Sequence, residues 1–151
     1  MQAADLRFRM MVPGDIDAVF SIEQQVHTHP WTRGMLLDSL SGGHHGYVLE
    51  QTGQLLGYAI LMPVLDEVHL LDIAIAKDAQ QQGFGLIFLN KINEMEIDRG
   101  AVKMLLEVRR SNLAAQALYR KNGYHEISVR RGFYTAAAGR EDAIVMERAL
   151  L

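Results

Sequence analysis

Apolar and polar positions run along the chain in two rhythms, one repeating every second residue and one near every third or fourth, and each predicts its own element. Residues 6–11 read as a first strand. Pro13-Gly14-Asp15 is turn-like and opens a helix to about Val26, with Ile16, Val19, Phe20 and Val26 on its core face. Glu23 falls on that stripe, where an apolar residue is expected. Thr32 suits the N-cap of a short helix to Leu40. Residues 47–50 and 55–64 flank Thr52-Gly53-Gln54 and predict a β-hairpin. Residues 68–76 are apolar enough for a central strand.

The strongest helical pattern comes next. Phe84, Phe88, Ile92 and Met95 recur at helical spacing among Asn90, Lys91, Asn93, Glu94 and Asp98, and Gly100 stands where a left-handed cap is expected. Residues 104–108 predict a buried strand. Ser111-Asn112 then caps a helix ending at Asn122-Gly123, with Leu113, Ala114, Ala117 and Leu118 as its buried stripe and Tyr119 at the margin. Residues 125–131 and 142–150 predict two closing strands. This order of elements implies one α/β domain over residues 1–151, built on a mixed sheet.

Composition narrows the chemistry. The 151 residues are 49% apolar and 22% charged, as in ordinary globular chains. With no cysteine, the chain has no disulfide, thiolate nucleophile or cysteine-based zinc site. A net charge of −3 predicts no nucleic-acid-binding surface. No run approaches the roughly 20 apolar residues of a membrane span, and no signal peptide is evident, so the expected location is the cytoplasm.

Three places carry candidate chemistry. Gln80-Gln81-Gln82-Gly83-Phe84-Gly85 lies between the central strand and the strongest helix. Glycines there let a ligand approach the backbone, and the unbonded first amides of a helix attract phosphate. The same residues also read as a plain strand-to-helix turn. Glu107, within an apolar strand, is either a partly desolvated general base or a solvated strand end paired with Arg109 or Arg110. Tyr119 either packs its ring or presents its hydroxyl to a cleft.

Taken together, Gln80 to Gly85 resembles the Q/R-x-x-G-x-G/A signature by which GNAT acetyltransferases hold the coenzyme A pyrophosphate. The resemblance extends through Leu65-Asp66-Glu67, Asp72-Ile73-Ala74-Ile75, Leu106-Glu107-Val108-Arg109, Ser111-Asn112 and Ala117-Leu118-Tyr119. His29-Pro30-Trp31, Arg130-Arg131 and Gly139-Arg140-Glu141-Asp142-Ala143 continue it, so that nearly the whole chain looks like the RimI-type ribosomal-protein-alanine acetyltransferases.

The resemblance implies a GNAT fold, a mixed and mostly antiparallel sheet whose fourth and fifth strands splay apart, and acetyl-coenzyme A as cosubstrate, with no metal. Ile73, Ala74, Ile75 and Asn112 would then hold the pantetheine arm, and Gln81, Gln82, Gly83, Phe84, Gly85 and Leu86 the pyrophosphate. Glu107 matches the family's general base and Tyr119 its general acid. Trp31, Glu23 and Tyr134 are candidates for shaping a peptide groove, Glu23 being equally readable as a solvated helix residue. The implied acceptor is a protein N-terminus, that of a small-subunit ribosomal protein; a lysine, a small-molecule amine or a non-catalytic acyl-coenzyme A module are the alternatives. An α-amine, with a pKa of about 7.7–8.0 against about 10.4 for lysine, costs roughly 3.5 kcal/mol less to deprotonate.

Two departures stand out. Gln81 and Leu86 replace arginines common in that loop, which predicts weaker or more salt-tolerant cofactor binding. Gly132-Phe133-Tyr134-Thr135 replaces a common Asn-Tyr-Tyr-Pro, which bears on peptide specificity. His27, His29, His44 and His45 carry no evident carboxylate pattern and predict no metal site. Arg130-Arg131 reads as a solvated strand end.

Overall fold

The computed structural model describes residues 5–151, so the first four residues of the expected domain lie outside it. Seven strands form one sheet: β1 (Leu6–Met10), β2 (His45–Gln51), β3 (Gln54–Val64), β4 (Glu67–Ile75), β5 (Lys103–Arg109), β6 (His125–Ala136) and β7 (Gly139–Ala149). Their spatial order is β1-β2-β3-β4-β5-β7-β6. Every pair is antiparallel except β4 and β5. The helices are α1 (Ile16–Val26), α2 (Arg33–Ser41), α3 (Phe84–Asp98) and α4 (Leu113–Lys121). The expected order and the mixed, mostly antiparallel sheet are what is observed, with two short 3-10 turns added at Pro13–Asp15 and Lys77–Ala79. No helix among the described residues is long and apolar enough to cross a membrane.

Local signals act where the sequence puts them. Thr32 Oγ1 accepts from the Met35 amide at 3.1 Å and starts α2. Thr52 and Gly53 both take positive φ, the two-residue turn whose twist suits a hairpin. Asn112 Oδ1 accepts from the Ala115 amide at 3.1 Å and starts α4. The α3 stripe is core: Phe88, Leu89 and Ile92 are fully buried alongside Tyr47, Leu49, Met104, Leu106 and Met146. Each such side chain stabilises the fold by about 1.5–3 kcal/mol.

The fork between β4 and β5 organises everything else. The two strands pair through four rungs, from Glu67↔Lys103 to Leu70↔Leu106, and then part. At that point β4 carries a bulge: Ile60 faces Asp72 but Leu61 faces Leu70, leaving Leu71 as the extra residue. A bulge bends its strand and raises the local twist, which turns β4 away from β5. Beyond the fork β4 stays bonded to β3, and β5 to β7.

Three expectations need correction. The closing strands are longer than residues 125–131 and 142–150, because Gly132 is absorbed as a bulge at positive φ rather than ending β6. Its amide donates to Asp142 Oδ1 at 2.9 Å, and its carbonyl accepts from Arg140 Nε at 2.6 Å. In α4 the inward residues are Gln116 and Tyr119, whereas Leu113 is 71% exposed. The Gln116 carboxamide, bonded to the Arg109 and Arg110 carbonyls, turns that face toward the sheet. In α1 it is Ile22 and Glu23 that are buried, while Phe20 and Val26 are only half-buried.

Candidate active site

Beyond the last β4–β5 rung, Ile73, Ala74 and Ile75 pair with Ala59, Tyr58 and Gly57 of β3, leaving their other backbone edge on the open fork. The chain then runs into the glycine loop. Gln81 and Gly83 take φ of 62° and 85°, and Gly83 begins α3 without a side-chain cap. The first turn closes with the Ile87 amide on the Gly83 carbonyl at 3.3 Å, so the amides from Gly83 to Leu86 lead out of the helix end. A Cβ on Gly83 would meet nothing within 4 Å, which leaves the approach open. Gly85 serves another purpose: a Cβ there would come 3.3 Å from Leu118 Cδ2, so this glycine lets α3 lie close to α4.

Pleating and register put a second set of groups on one face of the sheet. Paired residues point the same way, as do residues two apart on one strand. His69 pairs with Leu105, so Glu107 shares its face, as do Arg109 and, through Ala143, Arg130. Tyr134 follows through its pairing with Glu141. The bulge at Leu71 brings Asp72 round to that face as well, since Ile60 and Met62 oppose Asp72 and His69.

Glu107 is the first β5 residue past the end of the β4 ladder, and its side chain is 10% exposed. Its Oε2 lies 2.6 Å from His69 Nε2, and its Oε1 lies 3.6 Å from Arg130 Nη1. The expected alternative partners, Arg109 and Arg110, instead engage Glu141 at 3.0 Å and Asp142 at 3.1 Å. Arg130 lies inside β6, not at its end; its side chain is solvated as expected, 55% exposed, yet comes 3.6 Å from Glu107 and stacks over Phe133 at 4.5 Å. Arg109 lies 4.5 Å over the Tyr134 ring and anchors the start of the β6–β7 hairpin through the Thr135 carbonyl.

Tyr119 points inward from α4, its ring 5.7 Å from that of Tyr124. Burial pushes its phenol well above the ordinary tyrosine value, and the Tyr134 and Asp72 oxygens add to the rise. Burial also pushes Tyr134 up to about 12, with Glu107 contributing. Tyr119 thus feels the Tyr134 and Asp72 oxygens, and Tyr134 in turn feels Glu107. A phenol held so firmly protonated is a donor.

Glu23 is not a solvated helix residue. It is 1% exposed, accepts the Tyr58 hydroxyl on Oε1, and accepts the Trp31 amide on Oε2 at 3.0 Å. The latter bond pins Trp31 at the end of the α1–α2 connection. Asp72 is buried beside it, with Oδ2 3.5 Å from the Tyr58 hydroxyl. Burial pushes the Glu23 carboxyl up to about 7, and Asp72 adds to the rise against Tyr58 and His27. His27 Nε2 sits 3.0 Å from Asp72 and 3.8 Å from Glu23. Burial would lower the His27 value, but Asp72 and Glu23 carry it upward.

Sequence reasoning missed His69, Tyr58, Asp72 and His27 as members of the site. The only signal for His69, Tyr58 and Asp72 was polarity inside apolar strands, while His27 stands just past the end of α1. His27 does have carboxylates, contrary to expectation, and so does His45, whose Nδ1 is 2.9 Å from buried Glu96. Glu23, His27 and Asp72 bring ligand atoms within 4.8 Å of one another, although both Glu23 oxygens already accept protein hydrogen bonds.

Comparison with known proteins identifies the fold and the family. The chain is 41% identical over 133 residues to the [ribosomal protein bS18]-alanine N-acetyltransferase of Escherichia coli K12, covering 87% of this chain and 89% of that one. It is 38% identical to the enzyme of the same name from Haemophilus influenzae, covering 87% and 90%. The crystal structure of the Escherichia coli ribosomal-protein-S18-alanine N-acetyltransferase superposes with a TM-score of 0.91 at 35% identity, over 96% of this chain and 94% of that one. An acetyltransferase structure from Salmonella typhimurium that contains acetyl-CoA shares the fold at a TM-score of 0.82 and 16% identity, over 97% and 95%. The acetyltransferase (GNAT) family model matches residues 16–124, and the parallel fork followed by a glycine-led helix has that family's form: the chain belongs to the GNAT acetyltransferases.

Proposed function

We propose that this chain, as a single domain in the cytoplasm, transfers the acetyl group of acetyl-CoA to the N-terminal α-amine of a protein, namely the N-terminal alanine of a small-subunit ribosomal protein. The observation that carries the reading is Glu107 standing at the mouth of the fork, on the face shared with Asp72 and Tyr134. The names of the relatives at 38–41% identity support the acceptor.

In this reading the amides of Gln81, Gln82, Gly83, Phe84, Gly85 and Leu86 take the pyrophosphate, where the open side of Gly83 and the helix dipole favour an anion. The free edges of Ile73, Ala74 and Ile75 hold the pantetheine amides. Asn112 already spends its Oδ1 on the Ala115 amide, so its bond to the cofactor comes from Nδ2. Glu107 accepts the proton of the attacking amine. The nitrogen bonds to the thioester carbon, the carbon–sulfur bond breaks, and Tyr119 protonates the departing sulfur. Glu23, Trp31 and Tyr134 line the peptide side, and the buried acids Glu23 and Asp72 favour an incoming ammonium.

A peptide panel tests the acceptor. The purified protein is expected to acetylate a peptide with a free N-terminal alanine and to leave an internal lysine untouched when the N-terminus is blocked, as read by mass spectrometry. Acetylation of the lysine alone would replace this reading with that of a lysine acetyltransferase.

A further inference from the structure

We propose that His69 is a positioning residue for this reaction, holding the Glu107 carboxylate at the fork with one oxygen occupied and the other free to accept a proton. The inference rests on Glu107 being the base. It concerns a residue two positions short of the bulge that contributes no backbone to the open fork.

An ionised carboxylate only accepts hydrogen bonds, so the 2.6 Å contact requires the proton on His69 Nε2, pointing at Glu107 Oε2. That leaves Oε1, whose other neighbour, Arg130 Nη1, is at 3.6 Å and beyond a direct hydrogen bond. The two oxygens are therefore unequal. Oε2 is committed to His69, and Oε1 is the one that faces an approaching amine.

The strands make this arrangement stiff. His69 sits on the third of the four β4–β5 rungs, and Glu107 lies one position past the last rung on the same face. The imidazole thus leans along the sheet to catch the first carboxylate beyond the ladder. Without it, Glu107 would have Arg130 as its remaining ionic partner, a side chain 55% exposed and stacked on Phe133 near the outer edge of the sheet. The carboxylate would swing toward that arginine and away from the fork.

The groups sharing this face are Glu67 and Asp72 on β4, Lys103 and Arg109 on β5, His125, Arg130 and Tyr134 on β6 and Glu141 and Glu147 on β7, with apolar Met62 opposite His69 on β3. Among them, His69 alone makes a short contact with a Glu107 oxygen. The His69 side chain is itself partly open to water, so truncating it disturbs little of the core.

The test uses the full chain, an N-terminal peptide acceptor, and four variants: His69→Ala, His69→Gln, Glu107→Gln, and the double His69→Ala/Glu107→Gln. His69→Ala is expected to lower kcat about tenfold, the effect of one lost hydrogen bond to a charged group, with KM for acetyl-CoA unchanged. His69→Gln, whose amide can reach the same oxygen, regains most of the rate. On the Glu107→Gln background, His69→Ala costs nothing further, because it acts through that carboxylate. A His69→Ala enzyme with wild-type kcat overturns the proposal, as does a His69→Gln variant no faster than His69→Ala or an additive loss in the double variant. Should the alanine variant fail to fold, His69→Leu fills the space without a donor and takes its place in each comparison. Glu107→Gln at full rate overturns the assignment of the base itself, and the single variant reports that failure separately.

Discussion

Substituting Glu23 by Gln should flatten the pH dependence of folding stability. In the native chain burial, with Asp72 alongside, holds the Glu23 carboxyl at about 7 instead of the usual 4.5. The folded state thus binds this proton more tightly than the unfolded state. Stability present below pH 4.5 is lost as pH rises through about 7. His27 acts with the same sign: its folded value is raised despite burial, because Asp72 and Glu23 favour the imidazolium, and that stability too is lost as pH rises. The Glu23 interval of about 2.5 pH units, at about 1.36 kcal/mol each, gives an upper limit of about 3.4 kcal/mol. Water reaches the cluster along the His27 side chain, 33% exposed, and screening there reduces the figure to roughly 2 kcal/mol. Glutamine keeps the volume, accepts the Trp31 amide on its one oxygen and donates its NH2 to the Tyr58 hydroxyl oxygen, so it removes the titration without opening a hole; any change in bond strength is the same at both pH values. Urea unfolding of both proteins at pH 5 and pH 8 is the assay. The native chain should lose about 2 kcal/mol more than the variant between these conditions, or roughly 4–8 °C in Tm. Two proteins losing the same stability over that range would refute the reasoning.

Three further outcomes follow from the site. Tyr119→Phe keeps the ring against Tyr124 but removes the acid, so kcat should fall about a hundredfold while the thermal midpoint hardly moves, as read by steady-state kinetics and calorimetry. Gly83→Ala forces a side chain onto a φ of 85°, at a cost of about 1–2 kcal/mol in unfolding experiments; it should also weaken coenzyme A binding, although the new methyl meets no neighbour. Leu86→Arg places a cation in the first turn of α3, where the phosphates are proposed to sit. Titration calorimetry should show coenzyme A binding about two- to fivefold tighter and more sensitive to salt, and unchanged affinity would count against a pyrophosphate at this helix end.

What could be read from the sequence follows the range of each interaction. Thr32, Thr52-Gly53, Gly100 and Asn112 each act within a few residues, and each does what its residue type predicts. Glu23 was visible as an acid on an apolar stripe, but its partners Tyr58 and Asp72 lie 35 and 49 positions away and are brought to it by sheet register. The His69–Glu107 contact spans 38 positions and depends on parallel pairing that no local pattern encodes. The β6–β7 hairpin was underestimated because Gly132 is read locally as a break, while its amide is satisfied by Asp142 ten positions on. The α4 face was misjudged because a glutamine, not an alanine, is the residue that turns inward.

Leu71 has a consequence that its own side chain does not reveal. Side chains alternate across a pleated strand, so one supernumerary residue inverts the parity of everything downstream. Were β4 to run in unbroken register from Val64↔Glu67, with Leu71 taking the place opposite Ile60, Asp72 would fall opposite Ala59 and project from the reverse side, away from Tyr58, His27 and Glu23. The parting of β4 from β5 would lose the kink that starts it. A slip of one position would thus cost the site its second buried acid and the fork its opening together.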